Sequence, residues 1–409
     1  MNILLTGHCS NLFIIPWMKA IKEVAADLDI SVWGLNNPAG TITEEERQFF
    51  SNIYEKGEGY KTIDRSKLDI VSSYVKANGL GTVAKKIWKL PALKEEMMQA
   101  YWEDKEKLWV NDILKNKDIV WVHYLNTHNI KLVQFLDDKL KLILSFWGSD
   151  LMQESSEETW NSLKAALKRA NVITVQNHGM RFICCTKYGW DLFSKIKIAP
   201  FVPNNNIIEA IHEISKEEAK AKLSELFDIP MNSVWLSCGY RPIPIVQQAE
   251  IIPMLGKIPE ELKKELVIVL TMSYSLEQKA YIEAILNAVK AAKINYVIID
   301  RYLDDEELAA LRKAMDIFIH LPLTDAMSTT LVEHLYAGNF VVTSRTLPYG
   351  LFRKHQLEYK EIDELEELSL IIEHALRNPC FSNEQNRQNV AKMLSEDYSI
   401  SNWLKVIYE

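Results

Sequence analysis

No stretch of the 409-residue chain approaches eighteen uninterrupted apolar residues, so no segment is expected to cross a bilayer as a helix. Basic charge is also short. The net charge is −8, and a surface built to hold nucleic-acid phosphates needs an excess of Lys and Arg, so nucleic acid is not an expected partner. Cysteine is scarce and badly spaced for disulfide or metal work. Cys9, Cys184, Cys185, Cys238 and Cys380 are odd in number and contain no CxxC, which predicts reduced thiols and no zinc site. The start, Met-Asn-Ile-Leu-Leu-Thr-Gly, lacks the basic region of a secretion signal, and a cytoplasmic location is the expectation. Acid pairs are missing where hydrolysis or a metal would need them. Asp304-Asp305 opens a helix rather than closing a strand, and no two carboxylates form a convincing hydrolytic acid/base couple.

What is present is alternation. Short apolar runs alternate with amphipathic stretches over almost the whole length, which predicts parallel sheets built from βαβ units. Candidate strands in the first half are 2–6, 31–35, 118–124, 141–147, 171–176 and 195–201. The pattern breaks at Val202-Pro-Asn-Asn-Asn206, a loop composition, and a charged helix over 215–227 follows with Ser215 as N-cap and Glu218 three residues on. Alternation restarts at 233–239, 265–272, 295–301, 316–321 and 340–343. The reading is α/β, with two doubly wound domains: 1–205, 206–385, and terminal helices over 386–409. The last helix, with Trp403, Leu404 and Ile407 on one side, either packs on its own domain or crosses back to the first.

One region departs from the alternation. Residues 61–95 hold eight Lys/Arg against three acids, and 83–91 put Val83, Ala84, Ile87 and Trp88 on one helical face with Lys85, Lys86 and Lys89 elsewhere. This pattern suits an interfacial helix resting on anionic lipid. It equally suits a solvated helix packing its apolar face on the core.

In open parallel sheets ligands bind beyond the carboxyl ends of the strands. The residues there are Thr6-Gly7-His8, His123-Tyr124, Trp147-Gly-Ser-Asp150, Gly239-Tyr-Arg241, Thr271 to Tyr274, Arg301-Tyr302 and the segment His320 to Ser344. That last segment places Asp325 and Glu333 eight positions apart around Ser328, Thr329 and Thr330. A helix over 329–337, closed by Gly338, would point free N–H groups at a phosphate. Glu333, one turn in, would accept from vicinal hydroxyls such as a ribose, and Asp325 from another sugar. The plain alternative is a capping Ser/Thr cluster with a solvent-facing Glu.

The span Asp325-x7-Glu333, then Tyr336-Ala-Gly338 and Phe340-Val-Val-Thr343, resembles the E-x7-E element of GT-B glycosyltransferases, notably glycosyltransferase family 4. Asp118 to His123 is similar to the family strand that ends in a cleft histidine. Phe146-Trp-Gly-Ser-Asp150 resembles the HGSD-type turn, with Trp147 in the histidine position. Ala199 to Asn204 resembles the run into the interdomain hinge, and 303–316 the helix before the E-x7-E strand. The WGSDL form and Tyr281-Ile-Glu-Ala are closer to transferases of 4-acetamido-4,6-dideoxygalactose that act on a lipid-linked intermediate of enterobacterial common antigen.

The resemblance implies a GT-B fold with a cleft between two Rossmann-like domains, and a hexosyl or deoxysugar transferase that retains configuration. It implies no cofactor and no metal, with a nucleotide-diphosphate sugar as donor and a glycan or lipid-linked glycan as acceptor. The setting would be surface polysaccharide synthesis at the inner face of the cytoplasmic membrane, touched through 61–95. The catalytic group would comprise His123, Asp325 and Glu333. Arg241, Thr271, Arg301, Tyr302, Ser328, Thr329, Thr330 and Glu333 would hold the donor, and Gly7, His8, Trp147 and Asp150 the acceptor. His123 can equally be a packed core histidine, and Asp150 a helix cap. Three departures stand out: Asp325 replaces Glu, the G-R-x4-K-G loop keeps only Arg241, and Gly7 is unaccompanied by a second glycine. A GT-B sugar-nucleotide epimerase and a catalytically silent nucleotide-sugar-binding subunit are the competing readings.

Overall fold

A computed structural model describes residues 1–36, 43–54, 67–78, 96–98, 101, 107–153, 156–201, 205–273, 277–398 and 400–409. The expected interfacial stretch 83–91 and loop residues 202–204 lie outside the described residues, as does Tyr274. Lys67–Asn78 is a helix.

Among the described residues, seven strands form the first sheet: β1 (Asn2–Gly7), β2 (Asp29–Trp33), β3 (Asn52–Tyr54), β4 (Ile119–His123), β5 (Lys141–Ser145), β6 (Val172–Val175) and β7 (Ile196–Ile198). Their spatial order is β3-β2-β1-β4-β5-β6-β7. The second sheet holds β8 (Val234–Cys238), β9 (Leu266–Thr271), β10 (Asn295–Ile299), β11 (Ile317–His320), β12 (Phe340–Ser344) and β13 (Lys360–Ile362). Its order is β10-β9-β8-β11-β12-β13. Pairing is parallel in both, for example Leu4 beside Val120 and Leu236 beside Ile317. Helices cover both faces of such sheets, which is why β4 and β9 are buried along their whole length.

All eleven expected strands are present. The two in these sheets that were not expected, β3 and β13, are three-residue edges with partly exposed side chains, too short to show a period; Cys9–Ser10 and Leu35–Asn36 form a further two-residue parallel pair. In each sheet the direction of winding reverses once, between β1 and β4 and between β8 and β11.

The chain divides into two compact units. Unit 1 is Met1–Phe146 with Glu154–Thr174 and Ser194–Lys197; unit 2 is Trp147–Gln153, Val175–Phe193 and Ile198–Glu409. The helices that matter below all lie in unit 2: α1 (His178–Tyr188), α2 (Lys216–Phe227), α3 (Asp305–Ala314), α4 (Thr329–Ala337) and α5 (Ile400–Tyr408). The expected start of α2 is realised as a reciprocal capping box. Ser215 Oγ accepts from the Glu218 amide at 3.2 Å, and Glu218 Oε2 accepts from the Ser215 amide at 3.0 Å. In α5 the buried side is Trp403, Val406 and Ile407. Trp403 Nε1 donates to the Pro200 carbonyl at 2.9 Å and its ring lies 5.3 Å from Phe201, so the terminal helix closes on the chain just beyond β7, within unit 2.

Candidate functional site

In unit 2 the winding switches between β8 and β11, and in sheets of this kind ligands bind outside the carboxyl ends of the strands at that switch. Gly239, Tyr240 and Arg241 leave β8 there, and the 321–330 segment leaves β11. Helix α4 runs over the expected 329–337, capped by Ser328, whose Oγ accepts from the Leu331 amide at 3.3 Å. The Thr329 and Thr330 amides have no hydrogen-bond partner among the described residues. They sit at the positive end of the helix dipole. Gly338 ends the helix at φ +84°, a left-handed conformation that glycine adopts without strain.

Glu333 is 4% exposed. Its Oε2 accepts from Arg312 Nε at 2.9 Å, and the two side chains are 6% and 8% exposed. The Glu is therefore buried and paired rather than solvent-facing. Asn339 anchors this arrangement from behind: its side-chain amide donates to the Arg312 carbonyl at 2.7 Å and reaches His334 Nδ1 at 2.7 Å. Burial, then the charge of Arg312, holds His334 well below the usual histidine range, so the ring is neutral, stacked 3.8 Å from Phe318.

Asp325 is held by two neighbours that spacing did not reveal. The Tyr349 hydroxyl donates to Oδ2. His320 Nε2 lies 3.0 Å from the Tyr349 oxygen and 3.4 Å from the same carboxylate oxygen. Burial, with the charge of Asp325, pushes the Tyr349 hydroxyl well above its ordinary value, so it remains a donor. With that proton aimed at the carboxylate, the Tyr349 oxygen is left to accept from His320 Nε2. The buried His320 Nδ1 has no hydrogen-bond partner among the described residues. Tyr240 extends the cluster, with its ring 6.1 Å from His320. Arg241 lies over Tyr240 at 5.6 Å, is exposed, and forms no ion pair with the described residues.

The loop carrying Asp325 is braced from outside the second sheet. Gly148, at φ +145°, sits so close that a Cβ there would fall 2.7 Å from the Ala326 Cβ. Asn177 caps α1 through Oδ1, 2.9 Å from the Met180 amide, and donates from Nδ2 to the Ala326 carbonyl at 2.6 Å. Gln153 reaches Thr324 at 3.0 Å. Asn177 was not singled out from the sequence; its place directly after β6 and before a helical stretch is the signal that would have found the cap, though not the brace.

The remaining expected residues divide. Thr271 ends β9 and is buried. Arg301 is committed to Glu307, with contacts of 2.6 and 2.8 Å, because Glu307 belongs to the capping box of α3; Tyr302 beside it is 56% exposed. Asp150 is 3% exposed, and its Oδ1 holds the Trp147 and Gly148 amides at 2.9 and 2.8 Å, so it builds the turn. Trp147, half-buried, meets Phe201 edge-on at 4.8 Å.

Within unit 1, His123 is fully buried, stacked on Trp121 at 5.4 Å and edge-on to Trp17 at 6.0 Å. Burial drives its pKa down to about 3, so it is a neutral core ring in this structure. Its carbonyl accepts from the His8 amide at 3.0 Å. Gly7 allows that approach: at φ +96°, an added Cβ would lie 2.1 Å from the same oxygen. His8 is exposed, 5.5 Å from the Tyr124 ring.

Among the described residues one carboxylate–histidine group has metal-ligand spacing: His355, Glu396 and Asp397. Lys354 Nζ already spans both Asp397 oxygens at 2.7 and 2.8 Å, supplying the cation itself.

No family model matches the chain, and no curated protein matches it. Solved structures do. HepE of Anabaena, in complex with UDP and glucose, superposes with a TM-score of 0.62 at 12% identity, over 100% of this chain and 98% of that one. A glycosyltransferase from Rickettsia africae gives 0.66 at 12% identity, over 99% and 96%. Sucrose-phosphate synthase from Thermosynechococcus elongatus gives 0.66 at 13%, over 99% and 97%. These likenesses establish the fold, which is GT-B.

Proposed function

We propose that the chain is a glycosyltransferase that moves a hexosyl or deoxysugar unit from a nucleoside diphosphate sugar to a glycan or lipid-linked glycan, with retention of configuration. The observation that supports this best is the set of groups at the β8/β11 switch. Two amides without a partner among the described residues, and Arg241, which forms no ion pair with those residues, offer positive charge, beside two carboxylates each anchored through one oxygen. Cleaving the sugar–phosphate bond develops charge on the leaving diphosphate. The start of α4 and Arg241 would stabilise that charge. Glu333 Oε1 would accept from the ribose, and Asp325 Oδ1 from a sugar hydroxyl. HepE, which shares the fold, is seen with UDP and with UDP-glucose, which favours a uridine nucleotide.

In this reading the donor belongs to unit 2. Gly7 and His8 of unit 1 would meet the acceptor, and His123 would act only by supporting the Gly7 turn. The setting is bacterial surface polysaccharide synthesis on the inner face of the cytoplasmic membrane, with 61–95 contacting it. Calorimetric titration with UDP, dTDP and GDP tests the reading. At least one should bind, and Arg241→Ala should weaken it by about tenfold or more. If none binds at millimolar concentration, the reading is wrong.

A further inference from the structure

Three large aromatics stand on the surface of the 175–193 segment of unit 2. Phe182 is 61% exposed, Trp190 57% and Phe193 47%. They touch one another: Phe182 meets Trp190 edge-on at 5.7 Å, and Trp190 stacks on Phe193 at 6.3 Å. Arg181 places its guanidinium 4.5 Å from the Phe193 ring. With about 200 Å² per aromatic side chain, the exposed fractions sum to roughly 330 Å² of apolar surface. A contiguous patch of that size is comparable to the largest apolar patch of a typical monomeric domain, and such patches often serve as contact sites.

These rings are not overflow from the core. Helix α1 already buries Met180, Cys184, Cys185 and Tyr188, and the following short helix buries Leu192. Phe182 lies on the opposite face of α1, where the helical period puts solvent. The local charge is unlike that of the chain. Within this stretch of unit 2, residues 178–193 carry Arg181 and Lys187 against Asp191, in a protein of net charge −8. The field is felt at His178, whose pKa is lowered first by burial and then by Arg181 and Lys354, against an opposing effect of Asp397.

We propose that this face docks on an anionic lipid surface, with Phe182, Trp190 and Phe193 entering the headgroup–acyl boundary and Arg181 meeting lipid phosphates. Tryptophan and phenylalanine beside cations is the composition of an interfacial anchor. A second protein copy fits less well, because a stable interface takes roughly 800 Å² per partner and the patch supplies under half of that. The proposal does not depend on glycosyl transfer.

Co-sedimentation of the full chain with phosphatidylcholine vesicles, alone or mixed equally with phosphatidylglycerol, tests it. The wild type should bind the mixed vesicles, less so in high salt, and bind neutral vesicles weakly. Phe182→Ser/Trp190→Ser should lower the partition coefficient at least about tenfold. Arg181→Glu should weaken binding to mixed vesicles while leaving the patch in place. Nucleotide binding should be unchanged in both variants, so failure here and failure of the proposed function are told apart. Vesicle binding that both variants retain, or that the wild type lacks, overturns the proposal. So does a concentration-dependent dimer, seen by light scattering, that Phe182→Ser/Trp190→Ser abolishes without any lipid binding.

Discussion

Replacing Arg312 by Met isolates the buried ion pair beneath helix α4. The methionine fills most of the same volume but leaves the Glu333 carboxylate buried without its partner, in a site where it is 4% exposed. At about 4 Å between charge centres and an effective dielectric of about 20, the lost attraction is about 4 kcal/mol. That agrees with the roughly 3–5 kcal/mol that breaking one side of a buried pair costs. The Asn339 bond to the Arg312 main-chain carbonyl survives the substitution, so the backbone should hold. Urea unfolding, followed by tryptophan fluorescence and circular dichroism, should resolve a transition for unit 2. With a slope of about 2 kcal/mol per molar urea, its midpoint should fall by about 2 M. Arg312→Met/Glu333→Leu should recover most of the loss, because an apolar pair of similar volume is close to neutral. A midpoint shift under about 0.5 M for Arg312→Met, or no recovery in the double variant, refutes the account of Glu333 as a buried, charge-paired group.

Three further outcomes are expected. Tyr349→Phe removes the donor to Asp325 and should destabilise the protein by about 1.5–3 kcal/mol in the same urea assay; if the proposed function holds, donor turnover should lose kcat more than KM. Gly7→Ala should abolish soluble expression or native fluorescence, because the added methyl meets the His123 carbonyl and the left-handed φ is strained as well. Stability should also fall in acid, since His123 and His334 are neutral when folded and bind protons when unfolded. Each withdraws about 1.4 kcal/mol per pH unit below about 6.5, with the His123 contribution levelling near pH 3. Urea midpoints at pH 7 and pH 5 check this, and His123→Phe should flatten the slope for unit 1.

The sheets were legible because their central strands are uninterrupted apolar runs, and a strand buried on both faces needs no other signal. Helix ends were legible where chemistry marks them, as with Ser215 and Glu218, or Ser328 and Gly338. The environment of the two acids was not. Arg312 pairs with Glu333 only because α3 and α4 flank β11, and Arg is a residue type that spacing arguments leave in solvent. Tyr349 reaches Asp325 only because β12 lies beside β11, so the chain leaving β12 meets the segment leaving β11, whereas His320 ends β11 itself, five residues before Asp325. His123 and Asp150 show the converse. Their positions after strands suggested a cleft, but position along a strand does not say whether a ring is packed by tryptophans or a carboxylate is spent on its own turn.

Unit 2 is stitched from three separate stretches of chain. A gene cut at the connection after residue 201 would deliver the second sheet without Gly148, Gln153 and Asn177, and the Ala326 carbonyl would lose its donor. Exchanging C-terminal halves between related proteins at that junction would therefore separate the Asp325 loop from the pieces that shape it. A recombination scheme for this architecture should carry 147–153 and 175–193 along with the C-terminal half, as grafts into the recipient's first sheet.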